Sequence, residues 1–183
     1  MGLARGATTP QAREKYFVQR TTATPPKQWF GPTREEVSVL KNIDPVLSPE
    51  LLSTLRQMGH GDELAIVDAN YPAVSSGRPV IRMDGVASAT RIMEAVLTLM
   101  PLDEFVPCAA FHMQVVDDPS AEMPIFAEFR GLLQRYEPKA AKLEGIERFA
   151  FYERVMRAFS VVVTGERRLY GNLILKKGIV RPV

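Results

Sequence analysis

LLSTLRQMGHGDELAIVDANYPA, residues 51–73, is the stretch whose reading decides the fold. Ser48, Pro49 and Glu50 precede it, in the order that opens a helix: a hydroxyl to cap, a proline at the first turn, an acid at the positive end of the dipole. Leu51, Leu52, Leu55 and Met58 recur at helical spacing and make one apolar stripe. Gly59 is the expected stop, since glycine accepts a left-handed conformation without steric cost. Leu64 to Val67 is a continuous apolar run of strand length, as in a strand covered on both faces. A helix followed so closely by a buried strand points to an α/β domain. His60 lies between two glycines and Asp68 ends the strand, positions from which both side chains are expected to face a cleft.

Outward from there, ANYPAVSSGRP is a loop by its Pro, Gly and Ser content. Val80–Met83 reads as a second strand. Ser88 caps a second helix with Ile92, Met93, Val96, Leu97 and Met100 on one side, ended by Pro101. Val106–Val116 reads as a strand, followed by an Asp-Asp-Pro-Ser turn. Residues 122–137 form an amphipathic helix with Ile125, Phe126, Phe129, Leu132 and Leu133 inward. Residues 148–159 are periodic and helical, and Ser160–Val163 and Leu173–Leu175 are the last strands. On the other side of the opening stretch, residues 37–48 suit a short element closed by Pro45. Strands and helices alternate throughout, which predicts a central sheet with helices packed on it. There is no internal repeat.

The chain has 183 residues, 46% hydrophobic and 24% charged, enough for one domain with a substantial core. Its net charge of +2 argues for neither a nucleic-acid footprint nor a membrane surface. Residues 1–34 carry six basic side chains and one acid, leaving a mildly acidic remainder. This basic leader, residues 1–36, has four prolines and no periodicity, so a flexible extension is expected, with residues 37–183 as the folded domain. Its Trp29-Phe30 pair is suited to docking on the domain or a neighbour. A transit peptide is the other reading of its composition. The single cysteine, Cys108, excludes an intramolecular disulfide and fits a reducing, cytoplasmic location. No apolar run approaches the roughly 18 residues of a membrane span.

Several chemistries are excluded by motif. Gly59-His60-Gly61-Asp62 has neither phosphate-loop nor dinucleotide spacing. His60 and His112 are the only histidines, no Cys-x-x-Cys or His-x-x-x-His occurs, and no nucleophile elbow is present. What remains is one glycine-flanked histidine with carboxylates nearby, suited to general acid–base work near neutral pH. A lone histidine is more often structural, but flanking glycines permit close approach to a ligand. Arg148, Tyr152, Glu153, Arg154, Glu166, Arg167, Tyr170 and Asn172 gather hydrogen-bonding groups that suit a polyhydroxylated ligand. The same residues also read as packed aromatics and solvated charges, and spacing leaves both readings open.

Three separated motifs resemble one family: MGHGDELAIVDANYPA, VIRMDG, and RFAFYERVMRAFSVVVTGERRLYGNLILKKG. Together they are similar to the L-fucose mutarotase branch of the ribose pyranase/fucose mutarotase (RbsD–FucU type) family, from about Leu40 to Gly178. The FAFYER and TGER-x-x-YGN segments resemble the fucose branch more than the ribose one. The resemblance implies a single three-layer α/β/α domain with a mixed central sheet. It implies an isomerase that interconverts the α and β anomers of a free sugar without a cofactor or metal. His60 matches the family's acid/base histidine. Asp68, Arg148 and Tyr170-Gly171-Asn172 match its sugar-binding positions, and Tyr152 lies in the matching FYER motif. It further implies a homo-oligomer, a ring or smaller, in which one subunit's C-terminal segment completes a neighbour's site. A monosaccharide is then the partner, with no nucleic acid and no membrane. Two other readings fit the same residues: a ribose-type pyranose–furanose isomerase and a non-catalytic sugar-binding module.

Overall fold

The structure, a computed structural model, describes residues 1–2, 39–85 and 88–182. The chain divides into Met1–Glu35 and Glu36–Val183, and the fold below is that of the second unit. The basic extension, with its Trp29-Phe30 pair, lies outside the described residues apart from its first two.

Helix α1 runs from Pro49 to Gln57. The Ser48 side chain accepts a hydrogen bond from the Leu51 N–H at 3.2 Å, with Pro49 and Glu50 in the first turn as expected. Leu51, Leu55 and Met58 are buried and Leu52 is half-buried. The end of the helix differs from the expectation at Gly59. The cap is an extended Met58, and the left-handed residue is Gly61, at φ 87°. The reason is a distant cation. The Lys177 ammonium donates to the carbonyls of Leu55 (2.8 Å) and Met58 (2.6 Å), which satisfies the helix end without a left-handed glycine cap.

Strand β1, Glu63–Val67, follows at once, and Leu64 to Val67 have no accessible surface. Then come β2 (Val80–Met83), α2 (Ala89–Leu97, capped by Ser88), β3 (Ala110–Met113), α3 (Pro124–Tyr136), β4 (Leu143–Ile146), α4 (Arg148–Val155), β5 (Ser160–Thr164) and β6 (Leu173–Lys176). The six strands form one mixed sheet in the order β2-β5-β1-β6-β3-β4. β1 pairs parallel with β5 and antiparallel with β6, β6 antiparallel with β3, and β3 parallel with β4.

Alternation along the strands sorts the core into two halves. Leu64, Ile66, Ile81, Val162, Leu173 and Leu175 face α1, α2 and α3, where Ile92, Met93, Phe126, Phe129 and Leu133 are buried. Ala65, Val67, Phe111, Val161, Val163 and Ile174 face α4, where Phe151 and Val155 are buried. This is the expected three-layer α/β/α arrangement.

Three elements differ from the sequence reading. The strand expected over Val106–Val116 is only Ala110–Met113, because the preceding chain turns and meets the sheet as an isolated Leu102–Lys177 bridge rather than as a continuous strand. The helix expected over 148–159 ends at Val155. Strand β4, LEGI, was not expected: it is a short edge strand without a continuous apolar face. Its Gly145 is dictated by space, since a Cβ there would lie 2.8 Å from Gln114 Cγ. Residues 39–47 form turns rather than a regular element, and residues 37–38 lie outside the described residues.

Candidate functional site

β1, β3, β4 and β5 run in the same direction, so their carboxyl ends share one edge of the sheet. In open α/β sheets that edge is where ligands bind. Here it carries a cleft of about 200 Å³ lined by Asp68, Asn70, Tyr71, Met113, Arg148, Tyr152, Tyr170 and Asn172, among others.

Asp68 leaves β1 into a buried pair. Its N–H donates to Asn172 Oδ1 (2.9 Å), and Asn172 Nδ2 donates to Asp68 Oδ2 (2.7 Å). The Asn70 N–H donates to Oδ1 at 2.9 Å. Burial pushes the Asp68 carboxyl upward in pKa, and the donors from Asn70 and Asn172 oppose it. Tyr170 takes a left-handed conformation at φ 63°, uncommon for a bulky residue, and its hydroxyl accepts the Val116 N–H at 3.1 Å. Gly171 has no room for a side chain: a Cβ would stand 2.6 Å from Glu166 Cγ.

Arg148 opens α4 from the same edge, and Glu147 caps that helix by accepting the N–H groups of Phe149 (2.7 Å) and Ala150 (3.1 Å). Arg148 Nε is buried without a hydrogen-bond partner. A buried guanidinium donor left unpaired is costly, and an oxygen entering the cleft would satisfy it. Tyr152 stands edge-on to Tyr71, with ring centroids 5.4 Å apart. Tyr71 was not singled out in the sequence. Its sequence signal is its place three residues after Asp68, in the loop that leaves the carboxyl end of β1. Burial, with Tyr152 and Asp68 beside it, raises its phenol well above the usual range.

Other members of the C-terminal polar cluster are structural. Glu166 is buried and accepts from the N–H groups of Arg167 (3.0 Å) and Arg168 (2.9 Å) and from the Arg168 guanidinium. Its carbonyl accepts the Ala69 N–H at 2.9 Å, tying this loop to the one that bears Asp68. Arg154 pairs in a bidentate fork with Glu63, at 2.9 and 2.6 Å. Glu153 is exposed. The second histidine, His112, is in the core, its ring 4.0 Å from that of Phe126, and burial lowers its pKa.

His60 is elsewhere. It precedes β1, while Asp68 follows it, so the length of the strand, about 16 Å at roughly 3.3 Å per residue, stands between them. The expectation that both face one cleft does not hold within a single chain. His60 is about half exposed, with Nε2 3.2 Å from the buried carboxylate of Asp103 and its ring edge-on to Phe105 at 5.8 Å. No spacing in the sequence connects residues 60 and 103. Among the described residues, no group of three or more His, Cys, Asp or Glu could hold a metal ion, and no helix is long and apolar enough to cross a membrane.

Residues 41–180 match the model of the RbsD / FucU transport protein family. An L-fucose mutarotase of Glaesserella parasuis serovar 5 is 43% identical over 141 residues, covering 77% of this chain and 96% of that one. A human fucose mutarotase is 46% identical over 147 residues, covering 77% and 94%. The crystal structure of the Streptococcus pneumoniae fucose mutarotase in complex with L-fucose superposes with a TM-score of 0.72 at 40% identity, covering 78% and 100% of the two chains. A cleft at the carboxyl edge of this mixed sheet, and likeness over nearly all of the relatives' length, place the chain in the RbsD / FucU family.

Proposed function

We propose that the chain is an isomerase, a mutarotase that interconverts the α and β anomers of a free monosaccharide, with L-fucose as its substrate. The observation that carries this reading is the Asp68–Asn172–Arg148 cluster. A buried carboxylate, an amide locked to it and a guanidinium whose Nε–H has no hydrogen-bond partner present acceptors and donors to a polyhydroxylated ring. Relatives named fucose mutarotases at 43 and 46% identity support the choice of reaction and of sugar.

Opening a cyclic hemiacetal requires a proton delivered to the ring oxygen and one removed from the anomeric hydroxyl. Rotation about the C1–C2 bond and reclosure on the opposite face give the other anomer. No bond forms between enzyme and substrate carbon. In this reading Asp68, Arg148, Tyr170 and Asn172 hold hydroxyls, Gly171 lets the segment pack close to Glu166, and Tyr152 with Tyr71 forms an aromatic wall. His60 is the acid/base. Because it stands at the far end of β1, it serves the cleft of a neighbouring copy, which makes the active form an oligomer with sites between subunits. A positioned acid/base contributes roughly 10²–10⁴-fold, the span expected between the native chain and His60→Ala.

Saturation-transfer NMR on L-fucose, D-ribose and D-galactose tests the reading. Accelerated exchange between the L-fucose anomers, reduced roughly 100-fold or more by His60→Ala, is the expected result. Exchange between pyranose and furanose forms of D-ribose alone would point to the ribose-type reaction. Calorimetric binding without any exchange would leave a sugar-binding module.

A further inference from the structure

We propose that Asp103 is the positioning residue of His60: it takes the hydrogen on Nε2, so that Nδ1 is the nitrogen that trades a proton with the sugar. The inference rests on the reading of His60 as the acid/base and adds which atom acts and what holds it.

Asp103 is 3% exposed although it is a carboxylate, and everything around it fixes its place. Its N–H donates to the Lys176 carbonyl at 3.1 Å, beside the Leu102–Lys177 bridge. Its Oδ1 accepts the Phe105 N–H at 3.0 Å and faces His60 Nε2 at 3.2 Å. The histidine's loop is anchored to the same strand end, since the Gly61 N–H donates to the Lys177 carbonyl at 2.9 Å. Gly178 allows that strand end to lie against residue 102, where a Cβ would stand 2.3 Å from the Leu102 carbonyl oxygen. Both members of the pair therefore hang on one rigid segment, β6 and the residues after it, although they lie far apart in sequence.

The chemistry follows from the number of protons. A neutral imidazole carries one N–H, and an ionised carboxylate accepts but does not donate. With Nε2 against the Asp103 carboxylate, the neutral ring is the Nε2–H tautomer and its lone pair is on Nδ1. Protonation adds a hydrogen at Nδ1 alone. The ring thus passes between acid and base without moving, and the carboxylate stabilises the charged form when it appears. Asp103 stays ionised for this purpose. Burial opposes its charge, but the Phe105 N–H, His60 and the nearby Lys176 hold its pKa below the usual range. The other charged groups at this end of the sheet include Asp62, which accepts the Gly59 N–H, Lys177 with Arg56 nearby, Glu137, which accepts the Leu102 N–H, and Glu104 with its partners Lys139 and Arg181, the last with its guanidinium 5.9 Å from the Phe105 ring centre. Asp103 is the one whose carboxylate touches the imidazole.

Two measurements on the full chain test this. Nitrogen-15 NMR reads the tautomer directly, and the chain has only two histidines, so a His60→Gln spectrum assigns the signals. The neutral ring is expected as the Nε2–H form in the native protein and as a mixture of tautomers in Asp103→Asn. Asp103→Asn keeps the size and an acceptor for Phe105 but removes the charge. Its L-fucose exchange is expected to fall roughly 10- to 100-fold. A change confined to packing would lower the rate without changing the tautomer. A native Nδ1–H tautomer overturns the proposal, as does undiminished exchange in a folded Asp103→Asn. Where that variant does not fold, the native tautomer alone decides. His60→Ala separates the two readings: undiminished exchange there removes the catalytic role of His60, while the tautomer still reports whether Asp103 orients it.

Discussion

Asp68 and Asn172 form a closed exchange of two hydrogen bonds, backbone to amide and amide to carboxylate. Truncating Asn172 to alanine leaves a buried N–H without a partner and takes a donor from a buried charge. The expected cost is about 1–3 kcal/mol, seen as a lower urea midpoint, together with loss of L-fucose exchange. Full activity in Asn172→Ala would remove the pair from the site. Glu166 poses a different problem, because it is buried for structure rather than chemistry. The Arg168 guanidinium and the N–H groups of Arg168 and Arg167 hold its carboxyl below the ordinary glutamate range, against its burial. The folded state therefore binds that proton more weakly than the unfolded chain does. The stabilisation is complete above about pH 4.5, where an unperturbed glutamate titrates, and is lost as the pH falls through the depressed folded value. Glu166→Gln is expected to lower stability at neutral pH and to flatten its decline in acid, followed by circular dichroism across the acid range. An unchanged acid slope would contradict this account. The amino-acid pattern made Asp68 and Asn172 visible as candidates, but not that they bond to each other across 104 positions.

The junction of α1 and β1 shows the same division at the scale of elements. The cap at Ser48, the stripe of Leu51, Leu55 and Met58, and the apolar run of β1 all act locally, and their reading from sequence agrees with the structure. The helix end does not, because it is finished by Lys177, about 120 positions away (|i−j| of 119 to Met58 and 122 to Leu55). Lys177→Met keeps the aliphatic stem but removes both carbonyl contacts. A loss of roughly 1–2 kcal/mol is expected by chemical denaturation, with faster amide exchange in the last turn of α1. Protection equal to that of the native chain would show that water replaces the ammonium at no cost. Strand β4 was missed for a related reason. Four residues, one of them glycine, carry no detectable period, and only the edge offered by β3 makes them a strand.

At the scale of the whole molecule, the two halves of the proposed site stand at opposite ends of β1. A surface that meets a different surface on the next copy makes a head-to-tail contact, which closes into a ring when the rotation permits. Phe105 is exposed beside His60, and Phe149 and Leu169 are exposed at the cleft end, so both faces carry apolar side chains that a neighbour would cover. The prediction is complementation. His60→Ala and Arg148→Ala are each expected to be inactive, yet dissociated and reassembled together at equal amounts they should recover roughly a quarter of native exchange, the fraction of contacts with both halves intact in random head-to-tail assembly. Exchange that stays at the level of the single variants would place His60 and the cleft in the same subunit.

The sequence by itself determined the class of the fold and nominated the residues of the proposed site. Helix caps, apolar periods and glycine punctuation act within a few residues, and the motifs around His60, Asp68, Arg148 and Asn172 are contiguous, so both are readable along the chain. The tertiary structure decided which of those residues meet. Strand order put β6 between β1 and β3, which brought Asn172 to Asp68 and Lys177 to α1, and it left His60 with Asp103 at the other edge. The physical reason is that a strand has two ends. Residues eight apart in sequence are near neighbours along the chain, but an intervening strand holds them on opposite edges of a sheet, and only its pairing says what each edge collects.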